Sequence, residues 1–309
     1  MMKQLFPPFG QYHLHRFFQE SVAEEKLLLN RMFQVVDILN QQPSDFVVST
    51  SLYCKPHDPE NYPIFPLTVE EIRKPHTSVR HGNSWWQEYM EPLLSGVERI
   101  PDPWSVRIHL APDLIFLESY LRHPRIELRI MCHNSEFTMP GMLWRYLPLN
   151  ECGVVMARGA DSIWPDAGTY KHIQAMLKSD AMLIRRFRPR DRDADGLCVY
   201  RSIPGPLVIK LNNPLNFTKM AKAWLWHGMH GLLPTEVTAP FFEKPLPKLG
   251  MSHWARYGQD EQMLSHWLYY VAAAKGIYTV IDKTHQSQIW PFDQEYLESR
   301  SPHSTTVLV

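Results

Sequence analysis

The chain has 309 residues, 44% hydrophobic and 21% charged, a balance that fits a globular protein with ample core and excludes a disordered or fibrous one. Its 32 Lys and Arg offset its 32 Asp and Glu, so no global field draws it to nucleic acid or to a membrane surface. The four cysteines (Cys54, Cys132, Cys152, Cys198) include no C-x-x-C pair, which excludes a zinc framework or a disulfide scaffold.

No run reaches the roughly 20 apolar residues of a membrane span. Met1 to Pro8 lacks the apolar core of a signal peptide. The expectation is a cytoplasmic protein with reduced thiols and no membrane span. The ten Trp, 13 Tyr and 14 Phe serve either a Trp-rich core or stacking platforms for sugars and bases.

In chain order, apolar residues at helical spacing (Leu27, Leu28, Met32, Val35, Val36, Ile38, Leu39) predict a helix over 18–40, with Glu20, Glu24 and Glu25 suiting its start. Residues 41–45 break it. Phe46 to Tyr53 has the β-branched density of a buried parallel strand. A Pro- and His-containing excursion fills 54–84, with a capping box at Thr68 to Glu71. A helix interrupted at Pro92 is predicted over 85–97, a strand over 104–110, and a helix from Asp113 through Leu121.

A third strand follows over 126–131, and Pro140-Gly141 opens a helix bearing Trp144 and Arg145. The fourth strand, about 153–157, ends near Asp161. Further on, a helix is predicted over 169–179, strands at 181–184 and 207–211, and a helix over 217–226. A Pro-rich linker leads to a long helix from Glu261 to Lys275 starting at Asp260, a last strand at 277–281, and a loop-rich tail. Strands alternating with helices of these lengths imply βαβ units and a mostly parallel sheet.

Several chemistries are disfavoured by missing motifs. There is no G-x-G-x-x-G after the first strand, no Walker loop, no G-x-S-x-G and no H-E-x-x-H. What remains is a nucleotide-type α/β sheet with acids at strand or helix ends, where such folds hold ligands. Asp161 is such an acid, or alternatively a cap for the segment after it. Asp260 is an N-cap, a general base, or both, with Glu261 beside it. Arg145 is either a diphosphate partner or an ion pair beneath the site. The run Arg185, Arg186, Arg188, Arg190, Arg192 is a solvated loop or an anion-binding patch, nucleic-acid phosphates included.

The order of pieces resembles a family of bacterial and viral GT-A-type glycosyltransferases. Asp102-Pro103-Trp104-Ser105-Val106-Arg107-Ile108-His109 is similar to its P-x-W-x-V-R-I-Y strand, and Gly141 to Pro148 (GMLWRYLP) to its G-M-F-W-R-F-L-P. Val154 to Ser162 resembles its D-V-V-I-S-R-D-L-D-S, Gly228-Met229-His230-Gly231 its G-M-W-G, and Tyr257 to Leu264 its Y-G-x-D-Q-x-F-L. The matches keep their order over about 46–285.

The resemblance implies a single GT-A-like, Rossmann-like α/β domain with a mostly parallel mixed sheet flanked by helices. That catalytic domain would span 45–286, after an N-terminal helical extension (1–44) and before a C-terminal tail (287–309). It further implies transfer of a sugar from a nucleotide-sugar donor, UDP-sugar favoured, to a hydroxyl on a glycan or a modified nucleic-acid base, hydroxymethylated DNA included. The alternative is a non-catalytic nucleotide- or glycan-binding member.

The implied site residues fall into groups. Donor contacts would come from Ser49, Ser51, Tyr53, Arg145, Arg158, Asp161 and Ser162. Catalysis falls to Asp260 and Glu261. The acceptor would meet Gly228, Met229, His230, Gly231 and the arginines Arg185, Arg186 and Arg188. A divalent cation (Mn²⁺ or Mg²⁺) would sit on Asp161 and His285. The family's D-x-D departs here to Gly159-Ala160-Asp161, so the first acid is missing and metal use stays open.

Overall fold

The computed structural model describes residues 9–43, 45–53, 68–75, 83–133, 138–151, 153–178, 183–186, 207–233, 260, 263–264, 267–268, 278–281 and 287–290. Within them it is an α/β protein built on one mixed sheet. The strands are β1 (Val35–Leu39), β2 (Phe46–Leu52), β3 (Ser105–Leu110), β4 (Ile126–Met131), β5 (Gly153–Ala157), β6 (Leu183–Arg186), β7 (Leu207–Leu211), β8 (Tyr278–Ile281) and β9 (Ser287–Trp290). Their order is β1-β4-β3-β2-β5-β7-β6-β8-β9.

The centre explains the β-branched runs. β4, β3, β2 and β5 are mutually parallel, and parallel strands covered on both faces read as continuous apolar sequence. Alternate residues divide between two cores. Val48, Leu52, Val106, Ile108, Leu128, Val154 and Met156 face one side; Val155, Ala157, Leu207, Ile209 and Leu211 face the other.

The first core is closed by α3 (Val69–Arg73), α4 (Glu91–Val97) and the 3₁₀ segment Pro112–Tyr120, through Ile72, Leu93, Val97, Leu114 and Leu117. The second is closed by α1 (Gln11–Glu20), α2 (Ala23–Phe33), α5 (Thr138–Trp144) and α7 (Phe217–Met229), through Phe17, Leu29, Met32, Leu143, Trp144 and Trp224. The remaining helix, α6 (Ala167–Leu177), follows β5.

The connections from β2 to β3 and from β3 to β4 thus cover one face, whereas the connection from β4 to β5 covers the other. That change of face, with β5 paired back on β2, puts a topological switch point between β2 and β5. The step is visible in the register. Ser49 pairs with Ala157, the last residue of β5, while β2 runs on through Leu52. The β2 end therefore overhangs the turn after β5.

Several elements differ from expectation. The helix predicted over 18–40 is two helices and a strand, and β1 joins the sheet antiparallel to β4 with a bulge between Val35 and Asp37. The segment set apart as an extension thus supplies a sheet edge, and β9 within the predicted tail pairs with β8. Pro92 does not break its helix. A π-helical turn, Trp86–Met90, runs into α4, and Pro92 falls in the first turn, where a missing N–H is harmless. The helix expected from Asp113 is 3₁₀. Across its full width the sheet is mixed, because β1–β4, β5–β7, β6–β7 and β8–β9 are antiparallel. No helix among the described residues is long and apolar enough to cross a membrane.

Candidate functional site

Two groups of side chains bracket the switch point. The first grows from α5 and the end of β2. Tyr53, the residue after β2, lays its ring over Gly141. A Cβ there would stand 2.4 Å from the ring's Cγ, so only glycine admits the ring so close. The same ring meets Trp144 edge-on at 6.3 Å between centroids. Trp144 itself is buried, its indole N–H donating to the Met32 carbonyl at 2.7 Å, which fixes the end of α5 against α2.

With Trp144 pinned inward, the next residue, Arg145, is carried to the site. Its Nη2 donates to Asp260 Oδ2 at 2.6 Å, with 17% of the arginine side chain and 2% of the aspartate side chain exposed. The Tyr146 hydroxyl donates to the same oxygen at 3.3 Å, and the Arg145 guanidinium lies 5.0 Å from the Tyr146 ring centroid. Burial opposes the arginine's charge. Tyr146, Asp260 and Tyr53 outweigh it, so the guanidinium is held charged more firmly than in water. Asp260 is locked in place by a packed neighbourhood, since Met263, Leu264, Trp267 and Leu268 are buried in the same core.

The second group follows β5. The Arg158 N–H continues the pairing by donating to the Ser49 carbonyl at 2.9 Å. Its Nε turns to the Ser162 carbonyl at 2.8 Å, across the 3₁₀ turn Ala160–Ser162. Ala160 and Ile163 anchor this turn in the core beside α4, which leaves Asp161 and Ser162 exposed between them. The Asp161 carboxylate folds back over Gly159, where a Cβ would stand 2.3 Å from Oδ1. Gly159 thus gives the carboxylate its seat as well as lacking an acid.

A divalent cation needs several oxygen ligands. Asp161 is one, Gly159 supplies none, and among the described residues no group of three His, Cys, Asp or Glu side chains gathers. Of the two residues expected to hold the cation, Asp161 stands exposed on this turn. His285 lies outside the described residues.

The remaining predicted residues are placed as follows. Ser49 and Ser51 are buried within β2, and their hydroxyls are unpartnered in the structure. Of that strand's three predicted donor contacts, only Tyr53 reaches the end of the strand. Asp260, expected as a general base or an N-cap, has a carboxylate turned inward. One oxygen is engaged by Arg145 and Tyr146, and the other is buried. Glu261 and Arg188 lie outside the described residues, and Arg185 and Arg186 are backbone positions of β6, beyond β7 from the switch point.

Gly228 to Gly231 close α7 as a Schellman cap. Gly231 takes φ +64°, its N–H donates to the Gly228 carbonyl, and the Leu232 N–H donates to the His227 carbonyl. Glu25 of α2 ties this turn down through His230 (2.7 Å) and Trp226 (2.9 Å). His227 is buried, facing the His13 carbonyl of α1 at 3.1 Å. The positive φ of Gly231 is thus accounted for by helix termination.

The structure therefore brings Tyr53, Arg145 and Asp260 together, and Arg158, Asp161 and Ser162 together across the switch point. The 228–231 turn is bound instead to α1 and α2. Sequence reasoning missed Tyr146 and the role of Gly141. The signal for the first was an aromatic hydroxyl directly after the arginine. The second was a glycine inside a helix, which ordinarily implies a close approach. No family model, curated protein or solved structure matches the chain.

Proposed function

We propose that the chain is a glycosyltransferase that moves a sugar from a nucleotide-sugar donor, UDP-sugar favoured, to a hydroxyl of a glycan or of a modified nucleic-acid base. The observation that carries this reading is the switch point between β2 and β5, bracketed by Tyr53 and Arg145 on one side and by Arg158 and Asp161 on the other. Nucleotides bind in such crevices in open α/β sheets, beyond the carboxyl ends of the strands.

In this reading the acceptor oxygen bonds to the anomeric carbon as the bond to the donor's β-phosphate breaks. The departing diphosphate carries the developing charge. Fixed cations aimed at it lower the barrier without reorganising during the reaction. Arg145 supplies such a cation from a rigid mount, and Arg158 supplies a second. Asp161 orients the donor's sugar hydroxyls from its exposed turn. The acceptor's proton leaves to a carboxylate base, for which Glu261, beside the inward-turned Asp260, is the candidate in the sequence.

The test is release of nucleoside diphosphate from a panel of nucleotide sugars, since a transferase hydrolyses its donor slowly without acceptor. Asp161→Ala, a change at an exposed position, should abolish release while leaving thermal unfolding unaltered. Full release by that variant defeats the assignment. A second reading, a non-catalytic nucleotide or glycan binder, is favoured by Gly159 in place of an acid and by the engaged Asp260 carboxylate. Calorimetric binding without any donor breakdown across the panel selects it.

A further inference from the structure

We infer that Asp260 is a positioning residue. It holds the Arg145 guanidinium at the switch point, and Arg145 in turn takes the diphosphate of a nucleoside diphosphate. The inference rests on the nucleotide-sugar reading above and assigns the work of the ion pair within it.

Three observations converge. First, Asp260 cannot readily serve as a proton acceptor from an incoming hydroxyl. Its Oδ2 already accepts from Arg145 Nη2 and the Tyr146 hydroxyl, and its Oδ1 is buried without a partner in the structure. Second, the pair is asymmetric. The aspartate is closed off, at 2% side-chain exposure, while the arginine side chain keeps 17%.

Third, the arginine is held on more than one side. Asp260 takes Nη2, and the Tyr146 ring lies under the guanidinium. Its Nε is buried and has no partner in the structure. A planar guanidinium backed by a buried carboxylate is pre-organised for phosphate oxygens, which it binds through charge-assisted hydrogen bonds.

Calorimetry of the full chain with UDP, GDP and TDP, and with the matching nucleosides, tests this. Wild type should bind at least one diphosphate more tightly than its nucleoside. Asp260→Asn keeps the side-chain shape and removes the charge that holds Arg145. It should weaken diphosphate binding about tenfold or more, in line with loss of a charged hydrogen-bonding arrangement, and leave nucleoside binding unchanged. Arg145→Lys keeps a charge but loses the fork, and should act in the same direction even if the asparagine variant folds poorly.

With turnover in hand, Asp260→Asn should raise the donor KM and leave the ionising limb of the kcat pH profile in place. Equal diphosphate affinity in wild type and both variants overturns the inference while leaving the donor reading intact. A kcat collapse with unchanged donor affinity and a vanished pH limb also overturns it, making Asp260 the base. If wild type binds none of the three diphosphates, the donor reading itself fails and takes this inference with it.

Discussion

The turn that carries Asp161 is pinned by one tight contact, and that contact can be tested by exchanging volume across it. Gly96 lies in the last turn of α4, and a Cβ built on it would stand 2.0 Å from Ile163 Cγ2. Ordinary carbon contacts begin near ~3.5 Å, so an alanine at 96 must drive the two elements apart by about 1.5 Å or force Ile163 off its rotamer. Ile163 is 1% exposed and has no solvent to move into.

Overpacking of this kind costs ~1–3 kcal/mol, against which alanine's better helix propensity returns about 1 kcal/mol. The net loss expected for Gly96→Ala is therefore about 1 kcal/mol. Ile163→Ala alone leaves a cavity and should cost ~2–5 kcal/mol. In the double variant the new methyl occupies the space that Cγ2 vacated, so the losses should fall short of their sum by about 1 kcal/mol or more. Urea denaturation of the four proteins, read by Trp fluorescence, measures the cycle. Additivity within about 0.5 kcal/mol would refute the contact and with it the anchoring of the Asp161 turn.

Other consequences follow from buried charge and from the basic run. Burial foremost, then Arg107 and Arg129, hold His109 neutral well below the ordinary histidine range, and burial lowers His227 likewise. The unfolded chain takes up these protons first as pH falls, so both groups favour folding above about pH 6.5 and lose that contribution below it. Each contributes a slope of at most about 1.4 kcal/mol per pH unit, and His109→Gln should flatten urea-derived stability between pH 7 and 5 by up to one such slope.

Glu127 is buried between Arg107 (2.7 Å) and Arg129 (2.6 Å), so Glu127→Gln should cost about 3–5 kcal/mol, seen as a lower denaturation midpoint. A nucleic-acid acceptor would be neutralised by the Arg185 to Arg192 run, and gel-shift affinity should then fall steeply with salt. A salt-independent shift excludes that acceptor.

How far the fold was legible follows from where each segment is buried. β2, β5 and β7 could be read within a residue or so of their ends from their near-continuous apolar runs, and β3 and β4 from apolar residues alternating with polar ones. β1 could not. It is an edge strand with Val36 and Ile38 exposed, and Val35, Val36, Ile38 and Leu39 fit helical spacing as well as alternation. The reversal of β7 left no mark, since strand direction depends on a connection whose residues carry no periodic signal. The 3₁₀ segment was missed for a similar reason: Pro112 and Asp113 announce a helix start without specifying its pitch.

The site was legible residue by residue and opaque in its pairings. Asp161 is readable as an acid beyond a buried strand, and Arg145 as a cation beside a buried Trp. That Arg145 meets Asp260, 115 residues away, is a property of the folded chain alone. This distinction changes the chemistry. Taken singly, Asp260 at a helix start reads as a base or a cap. Joined to Arg145 and Tyr146 and sealed from solvent, the same carboxylate is the counter-charge of a largely buried guanidinium. The two glycines at 228 and 231 make the converse case. A glycine at 231 fits a ligand loop and a Schellman cap equally well, and only its positive φ and its hydrogen bonds identify the cap.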